Sequence, residues 1–305
     1  MSELNFGDCI GCGLCILGCP AYEETGFDVL TARGRNRGLQ AGLAAPEMDE
    51  SIWACTLCGY CDAICPSEVH NVDIVLHLRR ELVRLKPDRE TATGLPRRSA
   101  PSAKAGLVLG CTIRERAPHL IPSIREFLSR IGRSSEVSSV VPGAAPGEAC
   151  CGSLDVEAGH ALPMKARVKA GVVADPICLE QYDAEFLGAL AMQHLELFDL
   201  EPPFYYYAPH RLINRDHARM YPLYDELRRR FYCDMNFDLN RLARSTSAGS
   251  VQGLSGHRAR DVPAAVARLL EHSRAERIVT CSPADYLAFK AYSGRDTLYI
   301  TECLH

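Results

Sequence analysis

The chain has 305 residues, 47% of them hydrophobic and 24% charged, with a formal net charge of −4. That length suits about two domains of roughly 100–200 residues each, and the balance is that of a folded protein rather than a disordered or fibrous one. No apolar run reaches the roughly 18 residues that would suggest a membrane span. The opening MSELNFGDCIGCG lacks a basic stretch followed by an apolar one, so a secretory signal is not expected. Fifteen cysteines in such a chain point to metal rather than disulfides, because the cytoplasm, the expected location, keeps thiols reduced. Residues 1–86 carry seven Lys/Arg against twelve Asp/Glu, which excludes a nucleic-acid-binding surface there.

Along the chain, cysteines 9, 12, 15 and 19 come first, and 55, 58, 61 and 65 repeat their spacing. Val72, Val75, Leu76, Leu82, Val83 and Leu85 recur at helical spacing, predicting a helix over 72–85 that Pro87 stops. Residues 87–104, rich in Pro, Arg and Ser without periodicity, read as a linker. Beyond it, short apolar strands alternate with helices. The expected strands are 105–110 (leading to Cys111), 136–141, 170–174, 204–208 and 276–280; the expected helices are 118–132, 216–231 and 261–273. Such alternation predicts an α/β domain with a largely parallel sheet. Its halves, 105–200 and 201–305, are of similar length and read as a tandem repeat.

The two cysteine runs are Cys9-Ile-Gly-Cys12-Gly-Leu-Cys15-Ile-Leu-Gly-Cys19-Pro20 and Cys55-Thr-Leu-Cys58-Gly-Tyr-Cys61-Asp-Ala-Ile-Cys65-Pro66. Three thiolates at i, i+3 and i+6 can wrap one corner of an iron–sulfur cubane, leaving the fourth iron to a distant cysteine. In two-cluster ferredoxins the fourth cysteine of each run serves the other cluster. The expected sets are therefore Cys9, Cys12, Cys15 and Cys65 for one [4Fe–4S] cluster, and Cys55, Cys58, Cys61 and Cys19 for a second. Gly11, Gly13 and Gly59 allow tight turns that aim amides at sulfur, and Pro20 and Pro66 fix the exits of the loops. A pair of zinc ribbons is the competing reading, but zinc takes four ligands, usually as two CxxC pairs, and leaves the third cysteine and the trailing Cys-Pro without a role.

The segment from Trp53 to Pro66, with Arg33-Gly-Arg35 between the runs, resembles the iron–sulfur subunits of heterodisulfide reductase, glycolate oxidase and anaerobic glycerol-3-phosphate dehydrogenase. The resemblance implies an α+β multidomain chain. A helical two-[4Fe–4S] ferredoxin domain (1–86) would be followed, after the linker, by an α/β cysteine-rich domain of the CCG type (105–305), built of two tandem pseudo-repeats. A complete CCG motif in that family supplies a lone Cys, then Cys-Cys-Gly, then CxxC, and its five cysteines bind a noncubane cluster that reduces a disulfide.

The first motif is nearly complete here: Cys111, then Cys150-Cys151-Gly152, then Asp175-Pro176-Ile177-Cys178. Aspartate replaces one cysteine; a carboxylate can ligate iron, as a harder ligand than thiolate. Cys111, Cys150, Cys151, Cys178 and Asp175 are thus the expected ligands of a third centre, iron–sulfur or another metal. A buried apolar cysteine cluster is the structural alternative. The second motif has largely gone. Tyr207-Ala-Pro-His210 stands at the lone Cys, Val251-Gln252-Gly253 at Cys-Cys-Gly, and Cys281-Ser-Pro-Ala284 keeps half of CxxC. One cysteine and a histidine do not make a cluster site, so this half is expected to be structural, with His210 a hydrogen-bonded core residue.

Cys233 and Cys303 lack partners at motif spacing and read as structural. The aromatic run 204–207 reads as a core strand, and the arginines 228–230 as the solvated end of a helix. No GxGxxG follows a strand, so no Rossmann-type nucleotide site is expected. The resemblance implies an electron-transfer subunit of a larger redox complex, relaying electrons between the two cubanes and the third centre. Implied partners are a flavin or metal dehydrogenase subunit and a quinone-reactive, cytochrome or disulfide-reducing subunit. Such a partner would bring the chain to the cytoplasmic face of a membrane. The alternative is an enzyme, a disulfide reductase acting at Cys150 and Cys151.

Overall fold

The computed structural model describes residues 4–85, 105–137, 151–160, 168–250 and 260–305. The expected linker, Cys150, most of the expected strand at 136–141 and residues 251–253 lie outside these.

The N-terminal part is a set of short helices laid around the cysteine runs. Helix α1 (Pro20–Thr25) starts on the proline after Cys19, where a missing N–H costs nothing, and ends on Gly26 in the left-handed conformation. Helix α2 (Ala32–Gln40) is capped by Thr31, whose Oγ1 accepts from the Gly34 amide. Helices α3 (Asp49–Ala54) and α4 (Tyr60–Ala63) flank the second run, and α5 (Asn71–Leu85) packs beneath it. Val72, Val75, Leu78 and Leu82 form the inner stripe of α5 against Ile52, Trp53 and Leu57. The helix runs where its period predicts, but Leu85 is exposed while Leu78 and Arg79 are buried.

The C-terminal part holds two parallel sheets. The first orders β1 (Ala105–Val108), β2 (Val168–Val173) and β3 (Tyr182–Phe186) side by side. On the other edge of β1, Leu107 bridges Val137 in parallel. The second sheet orders β5 (Asp234–Met235), β4 (Phe204–Tyr207), β6 (Arg277–Thr280) and β7 (Asp296–Tyr299). Each sheet therefore places the chain segment that follows its first strand on one edge, and the next two strands on the other. Around the first sheet lie α6 (Cys111–Arg116), α7 (Ile121–Arg130), α8 (Ser153–Glu157) and α9 (Leu187–Gln193). Around the second lie α10 (His210–Arg215), α11 (His217–Phe231), α12 (Val262–Leu270) and α13 (Pro283–Tyr292). One core joins the sheets through Leu107, Val172 and Phe186 on one side and Tyr206, Val279 and Tyr299 on the other. The Tyr299 hydroxyl donates to the carbonyls of Ala174 (3.1 Å) and Cys281 (3.2 Å), tying together the ends of β2 and β6. All four residues of β4 are buried, as the aromatic run predicts.

The two parts are clamped by polar contacts around the second cysteine run. The Tyr60 hydroxyl donates to Asp238 Oδ2 (2.5 Å), Asn214 Nδ2 to the Cys58 carbonyl (3.1 Å), and Arg244 and Arg260 pair with Glu23 and Glu24. Among the described residues no helix is long and apolar enough to cross a membrane.

Candidate iron–sulfur sites

The eight cysteines of the two runs border two neighbouring spaces. Cys9, Cys12, Cys15 and Cys65, with Arg33 and Asn36, line one. Cys19, Cys55, Cys58 and Cys61, with Arg35 and Tyr60, line another, and Cys15 stands in the wall between them. The first space takes three cysteines of the first run and Cys65 of the second; the second takes three of the second run with Cys19 of the first, and Cys15 borders both.

Local backbone explains how. Gly11, Gly13 and Gly59 have φ of 73°, 85° and 77°, a region L side chains rarely enter, and they turn the chain between successive cysteines. Gly18 serves a different purpose: a Cβ there would come within 2.3 Å of the Tyr60 ring, so its absence lets the two runs approach. Amides point at sulfur as the turns suggest. Leu57 N donates to Cys55 Sγ and Val69 N to Cys65 Sγ, each at 3.4 Å. The Tyr60 amide reaches Cys58, and those of Tyr22 and Ala21 reach Cys19.

Four of these thiols are hard to ionise. Burial, and then neighbouring sulfurs, push Cys15 up to about 11 and Cys58 up to about 12 and raise Cys19, and burial followed by the Asp62 carboxylate raises Cys61. Four thiolates at one such space need a positive charge among them, which iron would supply. Among the described residues no three Cys, His, Asp or Glu side chains form a group that could hold a single metal ion.

At the first CCG-like motif, Cys111 opens α6 directly after Gly110. Cys151 and Cys178 are buried in one small cluster with Val108, Val173 and Tyr182. Asp175 is buried too; its Oδ1 accepts from the Ile177 amide (3.1 Å), and its side chain packs where a Cβ on Gly110 would sit. The structure thus gathers Cys151 and Cys178, and sets Asp175 against the turn that presents Cys111. Cys150 lies outside the described residues.

The second motif is structural in its contacts. His210 is buried, with Nδ1 2.9 Å from the Tyr207 hydroxyl and Nε2 3.0 Å from Ser245 Oγ. Burial and the charges of Arg211 and Arg215 pull its pKa down to about 3. Cys281 is fully buried near the Tyr224 hydroxyl (3.6 Å). Cys233 and Cys303 are buried in the same core.

Sequence reasoning missed the role of Arg35, Arg79 and Arg211, whose side chains are buried around the second space. Their partners are backbone carbonyls, most of them distant in sequence, and for Arg211 the Glu157 carboxylate as well, which no local motif records.

Residues 5–69 match the 4Fe-4S dicluster domain family. The chain is 36% identical over 81 residues to one component of the ferredoxin/F(420)H(2)-dependent CoB-CoM heterodisulfide reductase of Methanosarcina acetivorans, covering 27% of this chain and 48% of that protein. It is 30% identical over 103 residues to the fumarate reductase iron-sulfur subunit of Escherichia coli O157:H7, covering 30% and 41%. It is 36% identical over 75 residues to the probable glycolate oxidase iron-sulfur subunit of Bacillus subtilis, covering 23% and 17%. The matched region thus spans about half or less of these relatives. No solved structure matches the chain. Residues 5–69 are accordingly a 4Fe-4S dicluster domain, similar in sequence to subunits of heterodisulfide reductase, fumarate reductase and glycolate oxidase.

Proposed function

We propose that this chain is the electron-transfer subunit of a larger redox complex. One [4Fe–4S] cluster would be held by Cys9, Cys12, Cys15 and Cys65, and a second by Cys55, Cys58, Cys61 and Cys19. The observation that carries this reading is the gathering of the eight cysteines at two neighbouring spaces, with Cys65 reaching the space of the first run, Cys19 that of the second, and Cys15 in the wall they share. Bound there, each cubane supplies one-electron transfer with every iron already ligated by the protein. The chain's own part is to hold the sulfurs and direct amides at them.

In this reading residues 1–86 form the dicluster domain, and 105–305 a CCG-type domain with halves 105–200 and 201–305. The shared strand order of the two sheets supports the repeat. A third centre at Cys111, Cys150, Cys151, Cys178 and Asp175 completes the relay, favoured by the grouping of Cys151 with Cys178. Partners are redox subunits, a flavin or metal dehydrogenase on one side and a quinone-reactive, cytochrome or disulfide-reducing subunit on the other, at the cytoplasmic side of the cell. Cys12 is exposed and flanked by Ile10 and Leu17, 68% and 62% exposed, which suits docking of such a partner. A relay fits better than a disulfide reductase acting at Cys150 and Cys151, because Cys151 and Cys178 are buried away from a bulky disulfide.

The test is ligand exchange followed by EPR of the reduced, anaerobically reconstituted chain. Cys65→Ser should alter the cluster of Cys9, Cys12 and Cys15 and spare the other; Cys19→Ser should do the reverse. Each variant altering the cluster of its own run would overturn the assignment.

A further inference from the structure

The second space differs from the first in the charges built around it. Three guanidinium groups are buried there: Arg35 at 3% exposure, Arg79 at 0% and Arg211 at 4%. Arg35, from α2, donates to the carbonyls of Leu30 (2.9 Å) and Ser51 (2.8 Å), within electrostatic reach of Cys19 and Cys61. Arg79, from α5, lies 4.8 Å over the Trp53 ring and donates to the carbonyls of Cys55 (2.5 Å) and Ile52 (3.3 Å). Arg211, from α10, donates to the Leu57 carbonyl (3.4 Å), between Cys55 and Cys58.

Two carboxylates oppose them, Glu157 buried and Asp62 partly buried. A third, Glu180, lies 4.0 Å from Arg211 and is paired with Arg215. Glu157, at the end of α8, pairs with Arg211, and its backbone carbonyl accepts from Arg79 at 2.7 Å. Asp62, beside Cys61, accepts from the amides of Asn71 (2.8 Å) and Val72 (3.3 Å). Arg79 Nε and Arg211 Nη2 are buried donors with no acceptor among the described residues. Among the described residues three guanidinium groups face these two carboxylates, Glu180 being balanced by Arg215, so positive charge is left over beside the second space, where desolvation makes it costly. Around the first space no described guanidinium is fully buried. Arg33 is 39% exposed and paired with Asp28 at 3.1 Å, although its Nε is a buried donor without a partner among the described residues. Arg37 beside Gly11 is exposed, so water screens both charges.

A cubane with four thiolates is anionic, and reduction adds one more negative charge. A cation fixed nearby in a low-dielectric surrounding favours the reduced form, and a carboxylate disfavours it. We propose that Arg35, Arg79 and Arg211 hold up the reduction potential of the second cluster, and that Arg211 and Glu157 set it in opposite senses. Both of these residues come from the C-terminal part, so its docking on the dicluster domain completes the electrostatic surroundings of that cluster. The inference rests on the ligand assignment above.

The experiment is an EPR-monitored redox titration of the anaerobically reconstituted full chain, following the two clusters separately. Arg211→Gln should shift the reduced-to-oxidised ratio of the second cluster about tenfold toward oxidised at fixed potential, about 59 mV for a one-electron couple. Glu157→Gln, which is isosteric, should shift it the other way, Arg211→Lys should restore most of it, and the first cluster should not move. Both variants shifting the same way, as general loosening would produce, overturns the proposal, and so does neither shifting. Where Arg211→Gln does not fold, the direction of the Glu157→Gln shift decides. Absence of a second cluster signal in the unmutated chain would instead overturn the ligand assignment.

Discussion

Arg79 Nη1 donates a 2.7 Å hydrogen bond to the carbonyl of Glu157, joining the helix beneath the second cysteine run to the helix that follows Cys151 and Gly152. The same guanidinium binds the carbonyls of Ile52 and Cys55, so one buried side chain braces the ligand loop and the C-terminal part together. The approach is close enough that a Cβ on Gly159 would sit 2.6 Å from the Arg79 carbonyl oxygen.

Arg79→Met should therefore strip three buried carbonyls of a charged donor while preserving most of the packing over Trp53. The expected loss is about 2–4 kcal/mol, since a buried acceptor left unsatisfied costs about 1–3 kcal/mol and some of these will find water. Anaerobic urea denaturation of the reconstituted chain measures it. A loss below about 0.5 kcal/mol, the range of an ordinary surface change, would contradict the bracing role.

Gly18→Ala would drive a methyl group into the Tyr60 ring, 2.3 Å from the nearest atom, and that ring is fully buried. Overpacking of this kind costs about 1–3 kcal/mol. Because Tyr60 also donates to Asp238, the variant should loosen the clamp between the two parts and increase proteolytic cleavage there. Unchanged stability and cleavage would show that the approach of the two runs does not depend on this glycine.

His210 gives a pH signature. Its pKa falls from 6.5 to about 3, through burial first and then the charges of Arg211 and Arg215. Above pH 6.5 the ring is neutral in both folded and unfolded chains and contributes no slope. Below it the unfolded chain takes up a proton that the folded chain refuses, so stability falls as pH falls, down to the folded pKa. One unit below 6.5 the loss is about 1.4 kcal/mol. His210→Gln should flatten the difference in stability between pH 7.5 and 5.5, measured by denaturation, and an unchanged slope would contradict the buried neutral state.

The two CCG-like motifs should respond differently to cysteine removal. Cys178→Ser should lower the iron bound by the reconstituted chain, whereas Cys281→Ala, in a core site facing Gly188, should leave iron content unchanged and affect only stability. Equal iron in both variants would remove the third centre from the account.

The cysteine runs were legible because their repeated spacing is one that packing does not impose, and residues 5–69 match the 4Fe-4S dicluster domain family. The helical period likewise located α5, and the strand–helix alternation located β1, β2, β4 and β6. What stayed hidden lacked a local signal. Strand β3 (Tyr182–Phe186) has polar residues through its middle, and β5 has two residues, too few for any pattern. Arg79 falls in a helix where nothing in the period marks it as buried; the carbonyls of Ile52, Cys55 and Glu157 draw it inward. Leu85, expected on the inner face, is exposed because α5 ends there. The contacts of α10 with the second run join residues more than 150 positions apart, beyond the reach of any window.

The most direct measurement is iron and acid-labile sulfide per chain, with low-temperature EPR of the dithionite-reduced, anaerobically purified protein. Two cubanes predict about eight irons or more per chain and the split signals of two interacting reduced clusters. Four or fewer irons, or a single isolated cluster signal, would contradict the account.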